Sequence, residues 1–546
     1  MSQGSRLTTH SSTVLGVLVL LLAGTPVRER TGDARGQPPA EVGNQACRQC
    51  HETIVDSYSR TAMARTSGAA LPGIIEGSYE HAPSGVAYRI LPRGQTGILT
   101  YDRARPALHG SQPLKYYIGS NTRGRAFLFE IDGFLYQIPI NYYTGKNGWE
   151  MAPGHSQVRE MPLNRPVDST CLFCHASRIQ PVSKGTLNRF VGEAFLQDGV
   201  GCERCHGAGS DHVRGAGGMI NPAGLTGERR DSICVQCHLE GEARIARAGR
   251  SQEDYDPGDR LSEYLAIFVR QEDAEQRRAA VSHVESLEVS RCKVESGERL
   301  SCITCHDPHV QPGIDEKAGY YRARCLECHA PMAERHHPRQ PDCTACHMPR
   351  TESADIAHTA VTDHRIVRQR QNDRPRPVAA GSLVQFGNSR PAPRDLGLAY
   401  GEVALRGDVS AAREALRLLE EARLQQPDDP DVLTRLGYLH QARGDLETAE
   451  KLYEQVRKTD PDHAVASANL AVFQARRGLL KQALELWRTT FQNNPQLSEI
   501  GLNLGRGLCA VGDADGARAA LHRVLKHNPD MELARSALAE IGRDGC

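Results

Sequence analysis

The sequence predicts a mainly α protein in which a loop-rich domain with a small β-rich insertion is followed by an α-solenoid. Three observations predict this arrangement. A Cys-x-x-Cys-His motif occurs seven times between Cys47 and His347, two apolar segments flank a two-residue turn signal between the first and second motifs, and prolines recur every 34 residues near the end of the chain. Apolar segments around such a turn indicate a β-hairpin, and a 34-residue period indicates stacked helix pairs.

The repeated motif is the one in which two thiols form thioether bonds with heme and the adjacent histidine binds the iron. The seven copies use fourteen of the seventeen cysteines. They are Cys47/Cys50/His51, Cys171/Cys174/His175, Cys202/Cys205/His206, Cys234/Cys237/His238, Cys302/Cys305/His306, Cys325/Cys328/His329 and Cys343/Cys346/His347. The sequence therefore predicts a heptaheme c-type cytochrome domain over residues 45–367, with seven covalently bound heme c groups.

Structural zinc and a disulfide framework are the alternative interpretations of paired cysteines. A structural zinc ion takes four ligands, usually from two neighbouring pairs, so that seven pairs would leave one unmatched. Every pair is also followed directly by histidine, and the spacing is more uniform than a disulfide framework requires. We therefore favour heme.

The composition fits a protein whose core contains a cofactor. Only 39% of the 546 residues are hydrophobic and 5% are aromatic, and porphyrin faces would supply the missing apolar surface. The 66 basic residues balance 66 acidic ones, which argues against a nucleic-acid partner.

Residues 1–25 resemble a secretory signal peptide, because the apolar run from Val14 to Ala23 is too short to span a membrane comfortably. An uncleaved N-terminal membrane anchor is the alternative. Either interpretation places the rest of the chain in the periplasm or elsewhere outside the cytoplasm. Residues 26–44, rich in Gly, Pro and Arg, are predicted to be a linker.

The predicted β-rich insertion covers residues 72–160. Within it, apolar segments 127–131 and 134–138 flank Asp132-Gly133, a pair typical of two-residue hairpin turns. Between this insertion and the end of the domain, we expect short helices joined by loops.

Residues 368–394 are a second predicted linker, and residues 395–546 are predicted to be tetratricopeptide repeats. Their signature is a small residue where helices cross closely and a proline at the end of each unit. The recurring positions are Ala415, Ala449, Ala483 and Ala517, then Gly444, Gly478 and Gly512, then Pro427, Pro461, Pro495 and Pro529. The concave face of such repeats commonly binds a protein or peptide.

The second axial ligand of each iron decides what the hemes can do. Between residues 41 and 370, ten histidines lie outside the motifs, enough to give every iron two imidazoles, which is the arrangement of electron-transfer hemes. Candidate distal ligands are Met63, His155, His212, His283, His309, His336, His358 and His364. His212 and His309 lie too close to their own motifs to reach the opposite heme face, so each is expected to bind a neighbouring heme. The alternative for any of them is a surface or propionate-bonding role.

The first heme differs because the sequence after His51 offers Met63 and no nearby histidine. Methionine opposite histidine raises the potential of a heme. Packing of Met63 against the macrocycle is the alternative.

Several segments resemble extracytoplasmic multiheme cytochromes that carry tetratricopeptide repeats. They are residues 201–212, Cys305 to His309, the run from Cys343 to Pro349, and His358 to His364. These proteins are related to the tetraheme electron carrier of ammonia oxidation and to hydroxylamine oxidoreductase. The resemblance implies heme c binding and electron transfer, with redox catalysis in some relatives.

Three functions remain open from the sequence. We favour a non-catalytic electron carrier that works with donor and acceptor redox proteins. An oxidoreductase acting on nitrite, hydroxylamine or a similar nitrogen compound is the second hypothesis, although no catalytic residue is assigned and the Cys-x-x-Cys-Lys motif of related nitrite reductases is absent. The third is an interaction scaffold in which the repeats bind a partner protein and the hemes connect that partner to an electron-transfer chain.

Overall fold

The computed structural model describes residues 40–270, 281–336, 342–353, 356, 359–368, 382–387 and 390–546. The predicted signal segment, 1–25, lies outside these ranges, as does most of each predicted linker. No helix in the described ranges is long and apolar enough to cross a membrane. The chain divides into two compact units, with the boundary between Arg435 and Leu436.

The largest element is an antiparallel sheet between the first and second motifs. It follows the helix α1 (Asn44–Tyr58), which carries the first motif. The strands are β1 (Ser67–Ala69), β2 (Gly77–His81), β3 (Val86–Arg93), β4 (Thr96–Arg103), β5 (Leu108–Ile118), β6 (Gly124–Ile131), β7 (Phe134–Tyr143) and β8 (Gly148–Met151). Strands β2 to β8 pair in sequence order, and β1 pairs with β5.

The two ends of this sheet lie close together, so that the sheet is nearly closed. A Cβ atom at Gly77 in β2 would lie 2.6 Å from the indole of Trp149 in β8. The predicted hairpin is confirmed, because Ile131 pairs with Phe134 across Asp132-Gly133, both with positive φ. These angles are those of the turn that matches the strand twist.

Strand β7 is buried on both faces, which links the sheet to the second motif. One face joins an aromatic cluster that includes Phe129 and Tyr136. The other face packs Leu135 against Leu172, which lies inside the second motif on helix α2 (Ser169–Phe173). The sheet therefore provides a rigid support for this motif.

The prediction of a mainly α fold is wrong, because the chain contains this eight-stranded sheet and three smaller ones. The smaller sheets contain β9 (Ala176–Ile179), β10 (Phe195–Asp198), β11 (Ala243–Ala246), β12 (Leu265–Arg270), β13 (Arg350–Glu352), β14 (Ala360–Thr362) and β15 (Leu383–Gln385). The sequence signal was strong for a single hairpin only. In the other strands, Gly, Pro and charged residues on the exposed face dilute the alternation, as in β5.

The motifs after the sheet lie on short helices. These are α3 (Glu203–His206), α4 (Ser210–Val213), α5 (Gly227–His238), α6 (His283–Glu288), α7 (Arg291–Ser296), α8 (Cys302–Cys305), α9 (Lys317–His329), α10 (Met332–Arg335) and α11 (Cys343–His347). Two motif helices begin at an aspartate that accepts backbone N–H hydrogen bonds, Asp168 before α2 and Asp342 before α11. Such caps supply part of the local stability that a four- or five-residue helix lacks.

The helix pairs predicted at the end of the chain are confirmed. They are α12 (Pro393–Leu405), α13 (Val409–Gln425), α14 (Pro430–Ala442), α15 (Leu446–Thr459), α16 (Ala464–Arg476), α17 (Leu480–Asn493), α18 (Ser498–Ala510), α19 (Ala514–His527) and a final α20 (Glu532–Asp544). The recurring alanines are completely buried. A disulfide joins Cys509 in α18 to Cys546, 37 residues away.

The first repeat is attached to the cytochrome part of its unit by a buried ion network. Arg394 in α12 donates to the Ala246 carbonyl of β11 at 2.9 Å and to Asp429 at 2.6 Å. Asp395 pairs with Arg247 at 2.5 Å. Because these side chains are almost fully buried, each charge depends on its partner.

Substitution Arg394→Met should destabilise the protein by about 3–5 kcal/mol, because it leaves buried carboxylates without a cation. The midpoint of urea denaturation, followed by circular dichroism, measures the effect. Arg417→Met is the matched control, since Arg417 is an exposed residue of α13 paired with Glu414. Equal midpoints for the two variants would contradict the proposed role of the network.

Candidate metal centres

Five of the seven motif histidines face a second imidazole. The ring centroids lie 6.4 Å apart for His51 and His212, 6.0 Å for His206 and His309, 6.2 Å for His238 and His283, 6.3 Å for His306 and His364, and 5.8 Å for His347 and His336. Each partner comes from the candidate distal set.

The spacing fits two axial ligands of one iron. An imidazole nitrogen lies about 2 Å from a metal that it binds, and the ring centroid lies roughly 1 Å further away. Two imidazoles on opposite sides of one iron therefore have centroids about 6 Å apart. Each facing pair supplies two ligands, which suits a heme iron, whereas a structural zinc ion needs four.

The structure places His212 opposite His51, with the rings only 17° from parallel. Met63, the sequence candidate for this heme, is half-buried near the second motif instead. Its carbonyl accepts from Val200 and from Thr66, and the Thr66 hydroxyl lies 2.9 Å from His175. His212 is thus the side chain placed to serve the first heme.

The facing histidines connect motifs that are far apart in sequence. His309 follows the fifth motif but faces His206 of the third, and His364 follows the seventh motif but faces His306 of the fifth. Because each pair joins two segments of the chain, an iron between them would act as a cross-link.

The fourth and fifth motifs share a cluster of four imidazoles. The rings of His283 and His364 are in contact, with centroids 4.8 Å apart, and these two face His238 and His306 respectively. Burial lowers the pKa of His283 to about 3 and that of His306 to about 4. Both rings are therefore neutral at neutral pH, which is the form that binds iron. The Nδ1 atom of His283 is buried and has no hydrogen-bond partner among the residues that the structure describes.

Several motif histidines have one nitrogen fixed by a hydrogen bond, which leaves the other nitrogen for a metal. Nδ1 of His206 lies 2.8 Å from the Ile220 carbonyl, and Nδ1 of His347 lies 2.7 Å from the Val367 carbonyl. A partner on one nitrogen fixes both the tautomer and the ring orientation, as in many metal sites.

Thiols from different motifs are also neighbours. Four pairs of thiols lie within electrostatic reach of each other, namely Cys47 with Cys202, Cys174 with Cys237, Cys234 with Cys302, and Cys325 with Cys343. Heme groups attached at these positions would lie side by side.

Four motif cysteines are exposed, namely Cys50, Cys171, Cys328 and Cys346, and the other motif cysteines are partly buried. The helices of the sixth and seventh motifs, α9 and α11, bury none of their side chains, and α1 buries only residues beyond its motif. The thiols at these positions are therefore accessible for attachment of a heme group.

The remaining candidates are placed differently. His155 is half-buried beyond β8, where burial lowers its pKa to about 4, and it faces none of the motif rings within the described ranges. His358 lies outside the described residues. In those same ranges, His175 and His329 have no imidazole opposite them.

Two residues that touch motif histidines were missed by sequence reasoning. The hydroxyls of Thr66 and Tyr321 contact Nδ1 of His175 and His306. Thr66 lies 109 residues from its partner, so only the fold could reveal the contact. The sequence shows two adjacent tyrosines, Tyr320 and Tyr321, before the sixth motif, but it does not show that Tyr321 contacts His306.

Two parts of the chain match known families. Residues 148–207, which contain the second and third motifs, match cytochrome c554 and c-prime, and residues 410–471 and 440–500 match the tetratricopeptide repeat. The first match implies heme c as the cofactor. The chain is also 32% identical over 73 residues to the C-type polyheme cytochrome OmcC of Geobacter sulfurreducens, a match that covers 13% of this chain and 9% of that protein.

Some solved structures are similar to part of the chain. MamA AMB-1 is 22% identical, with a TM-score of 0.25, over 28% of this chain and 81% of that one. A tetratricopeptide repeat protein from Parabacteroides merdae is 20% identical, with a TM-score of 0.23, over 26% and 60%. TM-scores this low carry no functional argument.

Replacing His212 by alanine should convert the first heme from six-coordinate to five-coordinate, because His51 then lacks a facing ligand. Electron paramagnetic resonance of the ferric protein should show about one additional high-spin heme per chain. His109→Ala is the matched control, since His109 is an exposed residue paired with Asp102. If Met63→Leu gave the high-spin signal and His212→Ala did not, Met63 would be the ligand.

Proposed function

We propose that this protein carries electrons outside the cytoplasm through seven c-type hemes, one at each Cys-x-x-Cys-His motif. The five facing imidazole pairs are the observation that carries the proposal. Two imidazoles on one iron make a six-coordinate heme, which suits electron transfer better than substrate binding.

The fourteen motif cysteines would hold the hemes as thioethers, and the seven motif histidines would bind the irons. His212, His309, His283, His364 and His336 would complete the coordination of the first, third, fourth, fifth and seventh hemes. When bound, heme c supplies a one-electron couple between ferric and ferrous iron. The protein supplies the axial ligands, their orientation and the apolar surroundings.

The contacts between motif thiols support a continuous path for electrons. They connect the first motif with the third, the second with the fourth, the fourth with the fifth, and the sixth with the seventh. The imidazole pair of His206 and His309 joins the third motif to the segment after the fifth, and the pair of His306 and His364 joins the fifth motif to the segment after the seventh. Neighbouring hemes in such an arrangement exchange electrons without a mobile carrier.

A catalytic role as a multiheme oxidoreductase is the second candidate function. The second or sixth heme would be the catalytic one, because an enzyme needs an iron with an accessible axial position. Among the described residues, His175 and His329 are the motif histidines without a facing imidazole.

We assign the tetratricopeptide repeats to partner docking or assembly. Trp487 and Phe491 are buried in the packing of α17, so a redox partner would contact other side chains of the repeats. The first repeat is fixed to the cytochrome part of its unit by the Arg394 network, which would hold a docked partner near the hemes.

The disulfide between Cys509 and Cys546 supports an extracytoplasmic location. Disulfides form and persist in oxidising compartments and are rare in the cytosol. Attachment of heme c also takes place outside the cytoplasm, so both forms of cysteine chemistry point to the same side of the membrane.

The intact mass of the purified protein tests heme attachment directly. We expect the polypeptide mass plus seven hemes, and one heme fewer when Cys171 and Cys174 are both replaced by serine. Cys292→Ser is the matched control, because Cys292 belongs to no motif and its replacement should leave the heme count unchanged. A protein that carries no covalent heme, or one that binds zinc in its place, would refute the proposal.

A further inference from the structure

The motif histidines whose Nδ1 atom has a hydrogen-bond partner fall into two classes, according to whether that partner is a backbone carbonyl or a side-chain hydroxyl. His206 and His347 contact backbone carbonyls, at 2.8 Å and 2.7 Å. His175 contacts the Thr66 hydroxyl at 2.9 Å, and Nδ1 of His306 lies 3.3 Å from the hydroxyl of Tyr321. The sequence around the motifs does not distinguish the two classes.

The nature of this acceptor affects the electronic properties of the iron. An imidazole bound to iron through Nε2 carries its proton on Nδ1 and donates it to the neighbouring group. A strong acceptor makes the imidazole a better electron donor, which stabilises ferric iron and lowers the reduction potential. A carbonyl oxygen is a stronger acceptor than a hydroxyl oxygen, so a hydroxyl partner leaves the potential higher.

We propose that the second and fifth hemes have higher reduction potentials than the third and seventh, because the hydroxyl groups of Thr66 and Tyr321 are weaker acceptors for the motif histidines than backbone carbonyls are. Both are positioning residues that act on the iron through a histidine. The inference rests on the proposed attachment of heme at these motifs.

Positively charged residues near Thr66 would also raise the reduction potential of the second heme. The Thr66 carbonyl accepts from Gly119 at 2.7 Å, and the Gly119 carbonyl accepts from Arg125 Nε at 3.1 Å. Arg65 precedes Thr66 and donates to two backbone carbonyls. Neither arginine has a carboxylate partner in the described part of the chain. Positive charges near a heme at this motif would favour its ferrous form, which also raises its potential.

The location of these two hemes gives the inference a consequence for electron flow. Cys174 of the second motif contacts Cys237 of the fourth, and Cys302 of the fifth motif contacts Cys234 of the fourth. The fourth heme therefore lies between the two hemes with hydroxyl partners. Electrons that enter the protein should reside on the second and fifth hemes in preference to the third and seventh.

Redox titration of the full holoprotein, followed by optical and paramagnetic resonance spectra, tests the inference. Thr66→Val removes the acceptor and should shift one heme component to higher potential. Thr66→Asp supplies a stronger acceptor and should shift the same component to lower potential, whereas Thr66→Ser should leave it in place. Thr122→Val is the matched control, because Thr122 is exposed and contacts only Ser120.

Tyr321→Phe provides an independent variant and should raise the potential of a different component. Its control is Tyr320→Phe, since the Tyr320 hydroxyl contacts the Asp307 amide and no histidine nitrogen. The heme count of every variant is measured first by mass. If all hemes are attached but neither Thr66→Val nor Tyr321→Phe moves a component upward, the inference is wrong and the proposed function stands. If the unsubstituted protein lacks heme at these motifs, the proposed function fails instead.

Discussion

The approach of paired histidines from distant parts of the chain, which we propose to coordinate one heme iron per pair, is the interaction on which the rest of this structure depends. The motif-bearing segments contain short helices and small sheets, which are too short to be stable alone. Facing pairs such as His51 with His212 and His306 with His364 bring these segments together at the spacing that an axial pair requires. In the proposed function, the same contacts would also place neighbouring hemes side by side, so that folding and conduction would have a common physical cause.

The remaining elements act as supports for this coordinated region. The nearly closed sheet packs Leu135 against the second motif, and the residues leading into β1 place Thr66 on His175. The Arg394 network fixes the first helix pair to β11. These contacts use backbone hydrogen bonds, apolar packing and buried ion pairs, which do not require the cofactor. The protein thus combines regions that fold by ordinary packing with a region whose order depends on metal coordination.

The features visible in the sequence are those with a local or periodic signature. The seven motifs, the 34-residue repeat and the turn at Asp132-Gly133 are of this kind. The sequence placed a β-rich insertion at 72–160 but indicated only one hairpin within it, because charged and small residues on the exposed face weaken the apolar pattern of strands such as β5. The identity of each distal ligand depends on contacts between remote segments, and Met63 was favoured for the first heme only because it is close in sequence. His212 lies 161 residues from His51, and no local pattern indicates that the two rings meet.

The paramagnetic resonance spectrum of the ferric protein tests the central claim most directly, because it reports the relative orientation of axial imidazoles. Near-parallel rings separate the energies of two iron d orbitals and give rhombic low-spin signals, whereas near-perpendicular rings leave these orbitals almost degenerate and give a signal with a large maximum g value. The angles are 17°, 16° and 29° for the first, third and fifth hemes, and 72° for the fourth. We expect rhombic signals from three hemes together with a large-g signal from the fourth. A spectrum dominated by high-spin iron would contradict the account.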